Sequence, residues 1–160
     1  MTISLRQADT MEDKKFLFDT RTIPEVCKML LGPQPGSFES HLDYLDKLPS
    51  FKHIFIIECS SVRVGYCQLK TKTGEIGLVI HPESQGKGYG EEAIQALMLL
   101  AIERFEIKFL SLSVIKTNAR AIELYQRCGF SQVNELGPII RMHWASVLGR
   151  DGDLSPEKES

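Results

Sequence analysis

Charge of one sign is what this chain has least of. Lys plus Arg number 19 against 21 Asp plus Glu, a formal charge of -2 over 160 residues. Proteins that hold nucleic acid by its phosphates carry a basic excess on the binding domain, so that class is excluded as a property of the whole chain. Cys27, Cys59, Cys67 and Cys128 form no Cys-x-x-Cys pair. Two of the four lie in apolar strand contexts, which reads as buried thiols in a reducing compartment rather than as disulfides, and no metal site is expected. The most apolar stretch, Ala96 to Ile102, falls far short of the ~20 residues needed to cross a bilayer. Met1 to Arg6 shows no basic segment followed by an apolar one, so no signal peptide is read there. The expectation is a cytoplasmic protein with neither nucleic acid nor membrane as partner.

What remains is an ordinary globular composition, 42% hydrophobic and 25% charged, in a chain long enough for one domain with its own core. Ile3 and Leu5 alternate with polar neighbours, a first strand over about Thr2 to Gln7. Three short helices follow. Asp9 or Thr10 caps the first, with Glu12 and Asp13 in its opening turn and Phe16 and Leu17 toward the core. Pro24 starts the second, which runs through Val26 and Met29. Ser37 caps the third, with Phe38, Leu42, Leu45 and Leu48 on one stripe. The period then changes to that of strands over His53 to Ile57, Val62 to Lys70 with an interruption at Gly65, and Glu75 to Ile80, an antiparallel meander. A broadly apolar helix from Tyr89 to about Phe105, a strand over Phe109 to Val114, and a short helix between an Asn118 cap and Gly129 come next. Strands over about Ser131 to Leu136 and Ile139 to Val147 complete an α/β (α+β) layout. Residues 150–160 have almost nothing to bury, so 1–149 reads as the domain and 150–160 as a flexible tail.

The chain is organised around Gly77 to Ala93. An apolar strand stops at Pro82, passes through Gln85-Gly86-Lys87-Gly88-Tyr89-Gly90 and opens directly into the long helix. Glycine lets a ligand approach the main chain, and a helix start offers unpaired N–H groups and the positive end of its dipole. Together these hold phosphate or pyrophosphate. The spacing matches neither the Gly-Lys-Ser/Thr phosphate loop nor the dinucleotide fingerprint, whose third glycine would fall one position later.

Gln85 to Gly90, preceded by Leu78-Val79-Ile80, resembles the Gln/Arg-x-x-Gly-x-Gly/Ala signature of the GNAT acetyltransferase superfamily. A second stretch, Asn118-Ala119-Arg120-Ala121-Ile122-Glu123-Leu124-Tyr125-Gln126-Arg127-Cys128-Gly129-Phe130, resembles its later Asn-x-x-Ala-x-x-Leu-Tyr-x-x-x-Gly-Phe segment. The resemblance implies a mixed, mainly antiparallel sheet of about six or seven strands flanked by helices, and transfer of an acetyl group from acetyl-CoA to an amine. It implies that Gln85, Gly86, Lys87, Gly88, Tyr89, Gly90 and Glu91 hold the pyrophosphate, that the backbone of Leu78, Val79 and Ile80 meets the pantetheine arm and acetyl carbonyl, and that Asn118 touches CoA. A plain helix cap accounts for Asn118 equally well.

Tyr125 matches the tyrosine that the superfamily places near the CoA sulfur. A neutral phenol can protonate a thiolate, although a core tyrosine beside Ala121 and Ile122 is the plainer reading. Glu75, where the strand enters, can deprotonate the ammonium directly or through water, or be no more than a solvated strand-end carboxylate. His81 titrates in the useful range but is also simply a loop residue beside Pro82. Enzymes of the superfamily that acetylate ribosomal protein N-termini carry a glutamate where this chain has Ser113, which counts against that activity.

The acceptor side is expected on the first helices. Phe18 to Val26, Ser37 to Leu42 and Glu75-Ile76-Gly77-Leu78 are similar to the subgroup that acetylates amino groups of nucleotide-linked sugars, including the pseudaminic acid pathway. That subgroup's Trp-Arg-Asn stands here as Thr20-Arg21-Thr22. Arg21 can pair with a substrate phosphate or be an ordinary surface arginine. Polyamine or peptide acetylation is the rival, with Asp19, Glu25, Glu39 and Asp43 available to a polyamine, and a non-catalytic acyl-CoA-binding module is the reading from another class. A homodimer is compatible with all of these.

Overall fold

The structure is a computed structural model and describes residues 2–32 and 36–146. Its strands are β1 (Ile3–Gln7), β2 (Lys52–Cys59), β3 (Val62–Lys70), β4 (Glu75–Ile80), β5 (Phe109–Ile115), β6 (Ser131–Leu136) and β7 (Ile139–Ala145). Its helices are α1 (Met11–Arg21), α2 (Pro24–Cys27), α3 (Phe38–Asp46), α4 (Tyr89–Phe105) and α5 (Ala119–Arg127). The seven strands make one sheet in the order β1-β2-β3-β4-β5-β7-β6. Every neighbouring pair is antiparallel except β4 with β5.

Period-two alternation divides β2 between the two faces of the sheet. Phe55 and Ile57 join Ala93, Ile94, Leu97 and Ala101 of α4, with Cys67, Leu69, Leu110, Leu112 and Met142, in the larger core. Ile54 and Ile56 turn the other way, to Leu17 and Tyr66, with Phe16, Leu45 and Leu48 packed alongside. α4, with α5 beside it, therefore covers the first face, and α1 with the end of α3 packs on the second.

The capping residue of α1 is Thr10, which accepts from the Asp13 amide. Asp13 does more than suit a helix dipole. Its carboxylate is wholly buried and takes a two-pronged pair from Arg6 of β1, 2.7 and 2.8 Å, and a third bond from Arg63 of β3 at 2.9 Å. Arg6 beside it holds the carboxyl well below the usual carboxylate range, against the opposing pull of burial.

Several boundaries differ from expectation. β3 runs unbroken through Gly65, α2 ends at Cys27 before Met29, and β7 ends at Ala145. Pro33, Gln34, Pro35, Val147 and the tail from 150 to 160 lie outside the described residues. The Phe38, Leu42, Leu45 and Leu48 stripe is only half-buried, and the side chain that α3 buries is His41. Cys59 and Cys67 are buried and Cys27 and Cys128 half-buried, and no disulfide joins them among the described residues.

Candidate active site

The site begins where the sheet forks. β4 and β5 are in register at one residue pair, Glu75 with Ser111. Beyond it the strands part: Gly77 to Ile80 stay paired with β3 on one side and have no strand on the other. Backbone groups left open at such a fork bond a ligand or water.

From the fork a cleft of about 1150 Å³ runs to the glycine loop in one direction and to α1, α2 and α3 in the other. Leu78, Val79, Ile80, Gln85, Gly86, Gly88, Tyr89, Gly90, Glu91, Asn118, Tyr125, Glu75 and Arg21 all line it. Of the residues expected at the site, Lys87 alone is absent from its walls; it is exposed.

The loop is built to bring backbone up to a ligand. Gly88 is the N-cap of the 17-residue α4 with φ +84°, a left-handed conformation that L residues with side chains rarely take. Nothing lies within 4 Å of where a Cβ would stand there, so the approach to the main chain is open. The loop therefore fits a pyrophosphate. Gly90 serves a different purpose, since a Cβ there would stand 2.6 Å from Leu124 Cδ1 of α5. The absent side chain lets α5 close against the first turn of α4. Gln85 ties the loop down, donating to the Ile80 carbonyl at 3.1 Å and accepting from Arg120 at 3.2 Å. Glu91 accepts from Arg127 of α5 at 3.0 Å.

Asn118 is a helix cap, its Oδ1 accepting from the Ala121 amide at 3.3 Å, and it also borders the cleft. That cap, with Gly129 at φ +101° behind the helix, sets the length of α5 and so the place of Tyr125. The Tyr125 ring packs edge-on to Phe130 at 5.9 Å. Burial pushes its phenol above the ordinary value, with Cys128 and Cys67 adding to the shift. The group is therefore neutral at physiological pH and keeps its proton to donate.

At the fork Glu75 is held by two cations, Lys70 Nζ at 3.2 Å and Arg141 Nη1 at 3.4 Å. His81 lies outside the cleft walls, stacked on Phe16 with Nδ1 accepting from the Glu83 amide. On the acceptor side Arg21 Nε, His41 Nε2 and Tyr66 Oη are buried with no hydrogen-bond partner among the described residues, and all three residues line the cleft. Burial, and then Arg21, lower the His41 pKa from 6.5, so the imidazole is neutral at pH 7. Burial raises the Tyr66 phenol. Such orphans are rare in folded proteins and point to a missing partner.

Sequence reading missed His41, Tyr66, Arg120 and Arg141. Arg120 stood inside the second signature and could have been found there. Tyr66 looked like one more β-strand aromatic, His41 lay inside the Ser37 to Leu42 stretch read as acceptor side but was not singled out there, and nothing local marked Arg141. Among the described residues no group of three His, Cys, Asp or Glu side chains could hold a metal, and no helix is long and apolar enough to cross a membrane.

Known proteins share this fold. The acetyltransferase (GNAT) family model matches residues 23–130. Acetyltransferase PseH of Campylobacter jejuni is 27% identical over 129 residues, 78% of this chain and 80% of that protein. Spermidine N(1)-acetyltransferase of Escherichia coli is 32% identical over 87 residues, 51% of this chain and 47% of that protein. The crystal structure of spermidine N-acetyltransferase from Vibrio cholerae, in complex with CoA and spermine, superposes with a TM-score of 0.82 at 20% identity, covering 90% of this chain and 95% of that one. With the family match spanning the glycine loop, the forked strands and the Tyr125 helix, the chain belongs to the GNAT acetyltransferase family and is an acetyl-CoA-dependent N-acetyltransferase.

Proposed function

We propose that the acceptor is the primary amine of an amino sugar linked to a nucleotide. The observation that carries this is the chemistry of the acceptor wall. Arg21 Nε, His41 Nε2 and Tyr66 Oη are buried and unpartnered there, with Lys52 and Lys70 also on the cleft. Donors of this kind suit the oxygens of a phosphorylated sugar. Of Asp19, Glu25, Glu39 and Asp43, the carboxylates that the sequence offered to a polyamine, Glu25 alone lines the cleft, where Glu75, Glu91 and Glu123 also stand. Asp19 and Asp43 are engaged on the exposed surface by Lys15 at 2.8 Å and Lys47 at 3.0 Å.

Acetyl-CoA supplies the acetyl group as a thioester. Backbone groups of Gly77 to Ile80 orient it along the fork, and the loop from Gly86 to Gly90 holds the pyrophosphate. Glu75, with Lys70 and Arg141 already matching its charge, has lone pairs left to accept an N–H of the amine and so orients it. Once the ammonium has lost its extra proton to solvent water, the nitrogen of the neutral amine would bond to the acetyl carbon as the carbon–sulfur bond breaks. Tyr125 gives its proton to the sulfur and recovers one, through water, from the nitrogen.

The test is release of free thiol with acetyl-CoA and a panel of amino-sugar nucleotides, polyamines, amino acids and peptides. Arg21→Ala is expected to raise the KM for the sugar nucleotide about 10- to 100-fold, the scale of one hydrogen bond to a charged group, and to leave that for acetyl-CoA unchanged. Turnover of spermidine with none of any sugar nucleotide would overturn this choice of acceptor.

A further inference from the structure

We infer that Arg141 is a positioning residue for the acyl transfer, acting through Glu75 and the two serines of β5 at the point where the sheet forks. The inference rests on the reading that Glu75 orients the amine.

At the fork the neighbouring strands separate, and ladder hydrogen bonds cannot fix their relative positions beyond Glu75 and Ser111. Side chains bridge it instead. Arg141 on β7 stands opposite Ser113 of β5 in the antiparallel register. Its Nη1 donates to Ser113 Oγ at 2.6 Å and its Nη2 to Ser111 Oγ at 3.2 Å. The same Nη1 reaches across β5 to Glu75 Oε2 on β4 at 3.4 Å. Lys70 of β3 closes the line on the other oxygen of Glu75 at 3.2 Å. Four adjacent strands, β3, β4, β5 and β7, are thus tied in a row across the fork.

Side-chain alternation puts this row on the same sheet face as Tyr66 and Gln68, the face that carries α1 and the acceptor wall. Glu75 and Ser113 line the cleft, whereas Arg141 stays behind them and does not. A guanidinium suits that place because its planar fork of donors can serve three oxygens at once. Without it Glu75 would keep only Lys70, a single flexible cation, and Ser111 and Ser113 would lose their donor. The carboxylate that meets the amine would then sample several positions. Misplacement by about 1 Å of a group that aligns reactants costs on the order of 10²-fold in rate.

The experiment compares Arg141→Met, Arg141→Lys, Glu75→Gln and the Arg141→Met/Glu75→Gln double variant, using the best amine of the panel above. That choice makes the outcome independent of whether the acceptor is a sugar nucleotide. Arg141→Met is expected to lower kcat about 10- to 100-fold while the calorimetric affinity for acetyl-CoA stays within about twofold. Arg141→Lys should restore part of the loss, since an ammonium can still pair with Glu75 but cannot bond both serines. In the Glu75→Gln background Arg141→Met should cost little more, the non-additivity expected of residues acting as a unit. A folded Arg141→Met variant with wild-type kcat would overturn the inference. So would a parallel loss of acetyl-CoA affinity, which would make Arg141 a prop for the sheet, or full additivity with Glu75→Gln.

Discussion

Tyr125 enters the cleft as a neutral phenol fixed by the edge of Phe130 and by the Asn118 cap behind it. Burial keeps its proton on at physiological pH, so it can serve as donor to a departing thiolate without any change of ionisation beforehand. Tyr125→Phe removes only the hydroxyl. Turnover should fall by about 10²- to 10⁴-fold, the usual contribution of a positioned acid or base, with acetyl-CoA affinity nearly intact. Single-turnover rates are the proper measurement, because product release could mask a change in the chemical step. A wild-type rate would leave Tyr125 a packing residue. This tyrosine was legible in the sequence because the signature around it fixes its helix and its turn. Arg141 was not, since its partners Glu75 and Ser113 lie 66 and 28 positions away and meet it only through strand order. His41 was hidden for another reason: it occupies the helical face next to the half-buried Leu42 and Leu45, and apolar periodicity draws attention to leucine.

At the scale of elements, α1 matters most to the acceptor side because its last turn carries Arg21. Two things place it. Leu17 is buried against Ile54, Ile56 and Tyr66, and Asp13 is clamped by Arg6 and Arg63. Asp13→Asn keeps the shape and removes the charge. We expect a loss of about 2 to 3 kcal/mol, below the ~3–5 of a fully buried pair, because both arginines keep about a third of their side chains in water. A lowered urea midpoint at unchanged slope is the readout. The sign with pH follows from the direction of the shift. The folded-state pKa of Asp13 lies below its unfolded value near ~3.9, so its contribution is complete above about pH 5 and fades as pH falls toward the depressed folded value. The variant should lack that part of the wild type's acid sensitivity. Helix starts at Thr10, Pro24, Ser37 and Asn118 were legible from capping chemistry, and strands from their period. The burial of Asp13 was not, because its arginines come from two other strands.

The molecule as a whole is a sheet that splits, with the split opened into a cleft by a loop and two helix starts. Strand count and mixed pairing followed from the resemblance; the position of the split depends on where one parallel pair loses register, which no local pattern records. If the loop holds the pyrophosphate, acetyl-CoA must stabilise the whole fold, because the ligand binds the native state and has no site in the unfolded chain. At 100 times its dissociation constant the gain is about 2.7 kcal/mol, a rise in Tm of about 5–11 °C for a chain of this length. Gly88 tests the cradle directly. Gly88→Val puts a side chain into open space at the loop and strains a left-handed residue, so the free protein should lose roughly 1–2 kcal/mol and the acetyl-CoA shift should vanish. Gly88→Asn separates the two effects, since asparagine tolerates the left-handed region while still blocking the main chain. Its free Tm should stay near wild type and its ligand shift should also disappear. A full shift in a folded Gly88→Asn protein would place the pyrophosphate elsewhere in the cleft and leave Gly88 a turn residue.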